Sequence, residues 1–111
     1  MDEKLRIQFR ERLDQEAAEL TRSEAATEDE RAPVELDQSS VGRLARMDAL
    51  QVQAMASAQS RRRTARLAAI RAALARLHAD EFGYCESCGE PIARGRMELD
   101  PCVTRCIACA R

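Results

Sequence analysis

The chain of 111 residues has no tryptophan and only three aromatic residues, Phe9, Phe82 and Tyr84. A broad globular core draws much of its buried area from aromatic and branched side chains. Their scarcity argues against a broad-cored enzyme fold and for helices packed along a narrow seam. Histidine occurs once, at His78, and there is no Ser/His or Cys/His constellation for nucleophilic catalysis. The chain is therefore not expected to be an enzyme. No apolar run approaches the roughly 18 residues that a membrane span needs, and the opening Met1-Asp2-Glu3-Lys4-Leu5-Arg6 is charged. The expectation is a soluble, cytoplasmic protein with no membrane partner. An excess of positive charge is also missing: 18 basic residues face 19 acidic ones. A strongly basic nucleic-acid binder would look different.

What is present is charge segregation. Residues 1–38 hold six basic and twelve acidic residues, whereas residues 39–84 hold eight arginines against Asp48, Asp80 and Glu81. Residues 85–111 balance four against four. Two oppositely charged helices folded back on each other explain this pattern most simply.

The first segment carries a helical stripe, Leu5, Phe9, Leu13, Ala17 and Leu20, at spacings of three or four. The stripe fades at Thr27, and Pro33 disfavours helical geometry at Ala32, so a polar loop is expected there. Ser39 or Ser40 can cap a second helix, with Asp37 close to its positive end. From there to Ala79 no proline intervenes, and about 41 helical residues would span roughly 60 Å. Apolar residues near its start are Val41, Leu44, Met47, Leu50, Val52 and Met55. Near its end, Leu67, Ile70, Leu74 and Leu77 keep a coiled-coil spacing. Between them Ser60-Arg61-Arg62-Arg63 interrupts the apolar seam.

Five cysteines remain. Cys85 and Cys88, then Cys106 and Cys109, form two C-x2-C pairs separated by seventeen residues. Each pair puts two thiolates on one tight turn, and Gly89 lets the backbone curl beneath a metal. Four sulfur ligands close a tetrahedral site, leaving no position for water, so one structural Zn2+ is expected. About 27 residues with so few aromatics cannot bury enough surface without the metal. Cys102 is left over and is read as a free thiol, and His78 as a helix residue and not a ligand. The expected fold is all-α. A long antiparallel helical hairpin (coiled coil) occupies residues 1–81, with helices at about 2–26 and 39–80 and a tip loop at about 27–38. A small four-cysteine zinc finger follows at 82–111.

Asp80-Glu81-Phe82-Gly83-Tyr84-Cys85-Glu86-Ser87-Cys88-Gly89-Glu90-Pro91-Ile92, followed by Cys106-Ile107-Ala108-Cys109, resembles the DksA/TraR zinc-finger family. The stretch from Glu35 to Ala49 resembles its short DksA-like members. The resemblance implies a regulator that binds bacterial RNA polymerase directly, without sequence-specific DNA contact. It implies a hairpin inserted into the polymerase secondary channel, which alters promoter-complex stability and initiation, in the stringent response together with ppGpp. Acids at the tip would act near the active centre, and the candidates are Glu35, Asp37 and Asp48. Arg61, Arg62 and Arg63 would grip the channel rim, unless they pair with the acidic first helix.

The sequence departs from the family in two places. The tip motif Asp-x-x-Asp-x-Ala is absent, its nearest counterparts being Asp37-x-x-Ser40-x-Gly42 and Asp48-Ala49. The basic positions associated with ppGpp fall on Asp100 and Ala110, so ppGpp stays a candidate partner but strong binding at that site is not expected. Two other readings compete. A zinc finger that itself binds nucleic acid would show steep salt dependence on duplex DNA. A structural coiled-coil adaptor would bind a partner without altering transcription.

Overall fold

A computed structural model describes residues 1–31 and 42–110. Five helices occur among them: α1 Glu3–Ala26, α2 Glu28–Arg31, α3 Arg43–His78, α4 Arg94–Leu99 and α5 Ile107–Ala110. The only extended pairing among the described residues is one antiparallel bridge between Tyr84 and Pro91. No described helix is long and apolar enough to cross a membrane. The stretch expected as loop after Ala26 begins with the short α2, while Ser39 and Ser40 lie outside the described residues.

Contacts divide the chain into two compact units, Met1–Ala17 with Leu67–Arg111, and Ala18–Arg66. This cuts across both long helices and differs from a boundary at 81/82. The reason lies in the first unit, where the core is shared between helices and finger. Phe9 of α1 meets Phe82 at the root of the finger, ring centroids 5.4 Å apart and tilted by 54°. Leu13, Ile70, Ala73 and Met97 are essentially inaccessible, with Leu77 and Ile92 close behind. The few aromatics are thus concentrated where the finger joins the helices.

Local chemistry sets the helix ends in this unit. Asp2 caps α1, its Oδ1 accepting the Leu5 N–H at 2.7 Å. At the end of α3, Glu81 N–H donates to the Arg76 carbonyl at 2.8 Å and Asp80 N–H to the Leu77 carbonyl at 3.4 Å. This is a Schellman turn, with Asp80 in the left-handed position (φ 59°) usually taken by glycine. Arg6 compensates from α1: its Nη2 meets the Leu77 carbonyl at 2.6 Å and Asp80 Oδ1 at 2.7 Å. A cation on the negative end of α3 and a paired carboxylate offset the strained backbone.

The second unit is built differently. Counting back from Leu77 in threes and fours gives Leu74, Ile70, Leu67, Arg63, Ser60, Ala56, Gln53, Ala49 and Arg46. All of these are buried or half-buried, so the seam of α3 runs unbroken through the Ser60–Arg63 stretch. It changes character instead, from apolar to polar and small. The apolar residues expected to line it, Leu44, Met47, Leu50, Val52 and Met55, are exposed. Opposite, the α1 stripe continues past Leu20 to Glu24 and Thr27. Ser60 Oγ donates to Glu24 Oε2 at 2.7 Å, and Arg63 Nε donates to Glu24 Oε1 at 3.0 Å. Arg63 Nη2 reaches Thr27 Oγ1 at 2.9 Å, and Arg31 reaches Glu24 and Thr27 from the other side.

Candidate metal centre

The finger begins with a knuckle closed by three backbone hydrogen bonds. Cys85 N–H donates to Glu90 O at 2.8 Å, Gly89 N–H to Cys85 O at 2.9 Å, and Ile92 N–H to Gly83 O at 2.7 Å. Gly83 and Gly89 take the positive φ values, 90° and 77°, that let this turn close. The second pair lies at the start of α5, where Cys109 and Ala110 N–H groups both donate to the Cys106 carbonyl. Glu86 N–H bonds the Thr104 carbonyl at 2.8 Å and ties the two pairs together.

The result is a cluster of Cys85, Cys88, Cys106 and Cys109, with every pair of sulfurs within 4.8 Å. Four sulfurs about 2.3 Å from one zinc stand about 3.8 Å from each other in a regular tetrahedron. Cys88 Sγ and Cys106 Sγ are 3.7 Å apart. The donor set therefore fits one structural zinc ion. Cys102 is buried nearby in sequence but is not one of the four, and His78 is exposed in α3.

Electrostatics explain why the cluster needs a cation. Backbone N–H from Cys106, helped by those of Cys88 and Ser87, holds the Cys85 thiol down at about 6 against the cost of burial. The Cys109 thiol is pushed up to about 12 by the crowding thiols of Cys106, Cys88 and Cys85. Cys88 also lies above its usual value: the Glu90 amide lowers it, but Cys85, burial and Cys106 outweigh that pull. The Cys85 thiolate is welcomed, whereas Cys88 and Cys109 resist ionisation. Zinc supplies the charge that lets all four ionise, and closes the finger.

The other candidates lie in the second unit or beyond the described residues. Asp48 is exposed in α3, and Glu35 and Asp37 lie outside the described residues. Arg61 and Arg62 are exposed, with no ion pair or hydrogen bond among the described residues. Arg63 points the other way, its side chain 16% exposed, onto Glu24. Sequence reading passed over Glu24 because it is charged. The signal was its place on the α1 stripe, four residues after Leu20. Ser60 and Arg63 hold its carboxyl below the usual value, with Arg31 adding to the effect.

Residues 80–111 match the family described as the prokaryotic dksA/traR C4-type zinc finger. Over 40 residues the chain is 48% identical to the RNA polymerase-binding transcription factor DksA of Haemophilus influenzae. That stretch is 36% of this chain and spans only 28% of the relative's length. The fold is similar to the structure of transcription factor DksA2 from Pseudomonas aeruginosa, with a TM-score of 0.79 and 25% identity. The match covers 99% of this chain and 83% of that one.

Proposed function

We propose that this chain, with a DksA/TraR-type finger at residues 80–111, is a transcription factor that binds bacterial RNA polymerase. The observation that carries the reading is a four-thiol zinc centre joined to two antiparallel helices, with a likeness to DksA2 over 99% of the chain. The zinc is structural: it holds the finger against Phe9 and leaves no coordination position for chemistry. The relatives are transcription factors, and an enzymatic role is not proposed. The protein acts in the cytoplasm, where the polymerase is.

In this reading the helix pair enters the secondary channel and changes promoter-complex stability. Two packed helices are about 20 Å across, which suits a channel closed to a globular domain. Asp48, with Glu35 and Asp37, supplies negative charge near a centre rich in metal ions and basic groups. Arg63 is occupied by Glu24, so we assign the rim contact to Arg61 and Arg62. ppGpp is not required for binding, because the positions associated with it fall on Asp100 and Ala110.

Binding of the zinc-loaded chain to bacterial core RNA polymerase, followed by transcription in vitro with and without ppGpp, tests the proposal. The expected result is saturable binding at physiological salt and a changed yield of initiated transcript. Absence of binding refutes it. Binding without any effect on initiation supports the adaptor reading instead.

A further inference from the structure

Between Arg6 and Arg12, α1 reaches three different parts of the first unit. Phe9 meets Phe82 at the root of the finger, with ring centroids 5.4 Å apart. Arg6, three residues earlier, holds the end of α3: its Nη2 donates to the Leu77 carbonyl at 2.6 Å and pairs with Asp80 Oδ1 at 2.7 Å. Arg12, three residues later, crosses to α4, where its Nη1 donates to the Glu98 carbonyl at 2.5 Å. At 100° per residue the two arginines leave α1 about 60° to either side of Phe9. Their acceptors correspond. Leu77 and Glu98 are each the penultimate residue of a helix, so neither carbonyl has a partner within its own helix.

The three contacts differ in what they can fix. Burial of Phe9, Leu13, Phe82 and Met97 holds the finger against the helices, but apolar adhesion has no preferred direction. A guanidinium bond to a carbonyl does, because it weakens steeply once donor and acceptor fall out of line. Two such bonds, about 9 Å apart along α1 and on opposite sides of the ring, define an axis. The elbow between α3 and the finger needs one, since the chain turns there through Asp80 in a left-handed conformation, φ 59°. Arg6 ties that side chain and the end of α3 to a single nitrogen. Zinc cannot supply this constraint, because Cys85, Cys88, Cys106 and Cys109 all belong to the finger.

We infer that Arg6 and Arg12 are positioning residues that together set the direction in which the finger leaves the helices, whereas zinc closes the finger and Phe9 keeps it attached. This role is independent of the polymerase reading. Residual dipolar couplings of the zinc-loaded full chain test it, measured on amides of the helical residues 3–17 and 67–78 and of the finger residues 84–110. In the unmodified protein one alignment tensor should fit both sets. In Arg6→Ala/Arg12→Ala the two sets should need separate tensors, and the finger's couplings should shrink relative to those of the helices. The zinc should stay bound, and each set should still fit a tensor of its own. Arg12→Ala alone, at an exposed contact, should change the finger's tensor in the same sense. Phe9→Leu is the control: it loosens the same junction but leaves both bonds in place, so one tensor should still suffice. A single tensor for the double arginine variant overturns the inference. A Phe9→Leu protein that needs two tensors also overturns it, because direction would then come from the core. Loss of zinc from either arginine variant overturns the separation of closing from positioning.

Discussion

Replacing Phe9 by alanine tests whether the finger and the helix ends form one core. Phe9 is 4% exposed and Phe82 5%, with ring centroids 5.4 Å apart, so the substitution removes a buried ring and one half of an aromatic pair. Buried Phe→Ala changes cost about 3–5 kcal/mol, of which an aromatic pair accounts for about 0.5–1.5. For a unit of this size, 1 kcal/mol shifts Tm by about 4–8 °C, so even the low end predicts a fall of at least about 12 °C. Thermal melts of the zinc-loaded protein read this directly. Hydrogen exchange should show lost protection at both Phe82–Ile92 and Leu5–Leu13, although the four cysteines are untouched. Phe9→Leu, which keeps most of the buried area, should recover more than half of the loss. A Tm change below about 4 °C for Phe9→Ala, or loosening confined to α1, would refute a shared core.

Removing zinc with a chelator, or Cys85→Ser, should abolish hydrogen-exchange protection across residues 84–110, and metal analysis should fall from one zinc per chain to none. Glu24→Gln should lower stability at neutral pH. Because the Glu24 carboxyl is held below its usual 4.5 when folded, its contribution is complete above that value and fades as pH falls through the folded value. Denaturant melts of Glu24→Gln and the unmodified chain should therefore differ at pH 7, and the gap should close as pH falls well below 4.5 through the folded value. A gap that persists in acid would remove charge from the explanation. Gly89→Ala meets no atom within 4 Å but must adopt φ 77°, which costs about 1–2 kcal/mol, so zinc should be lost to a competing chelator about tenfold more readily. Gly95→Ala, inside α4 and equally unobstructed, should be neutral or stabilising by up to about 1 kcal/mol.

The metal centre was legible in the sequence because paired C-x2-C spacing leaves few alternatives to a metal. The two long helices were legible too, from stripes and from the absence of proline, whereas the short α2, α4 and α5 were not. The seam of the second unit was not. Composition pointed to Leu44, Met47 and Met55 as its lining, whereas the period set by Leu67, Ile70, Leu74 and Leu77 continues through Arg63, Ser60 and Gln53. Where the two disagree, the period prevailed, because a helix cannot rotate its seam midway without a break in the backbone. The polar stretch is tolerated because Glu24 stands on the facing stripe and satisfies Ser60 and Arg63. The arginine run likewise divides by helical angle: Arg63 faces α1, and Arg61 and Arg62 do not. The role of Phe9 could not be read from one stripe, since its partner Phe82 is far along the chain and belongs to the finger.

The central claim is that the helix pair works inside the polymerase. Replacing Asp48 with a photoreactive amino acid and irradiating the complex with bacterial core RNA polymerase tests it most directly. The account predicts a covalent adduct with polymerase segments lining the secondary channel, mapped by mass spectrometry and lost when zinc is removed. An adduct with the outer polymerase surface, or with DNA alone, would contradict it.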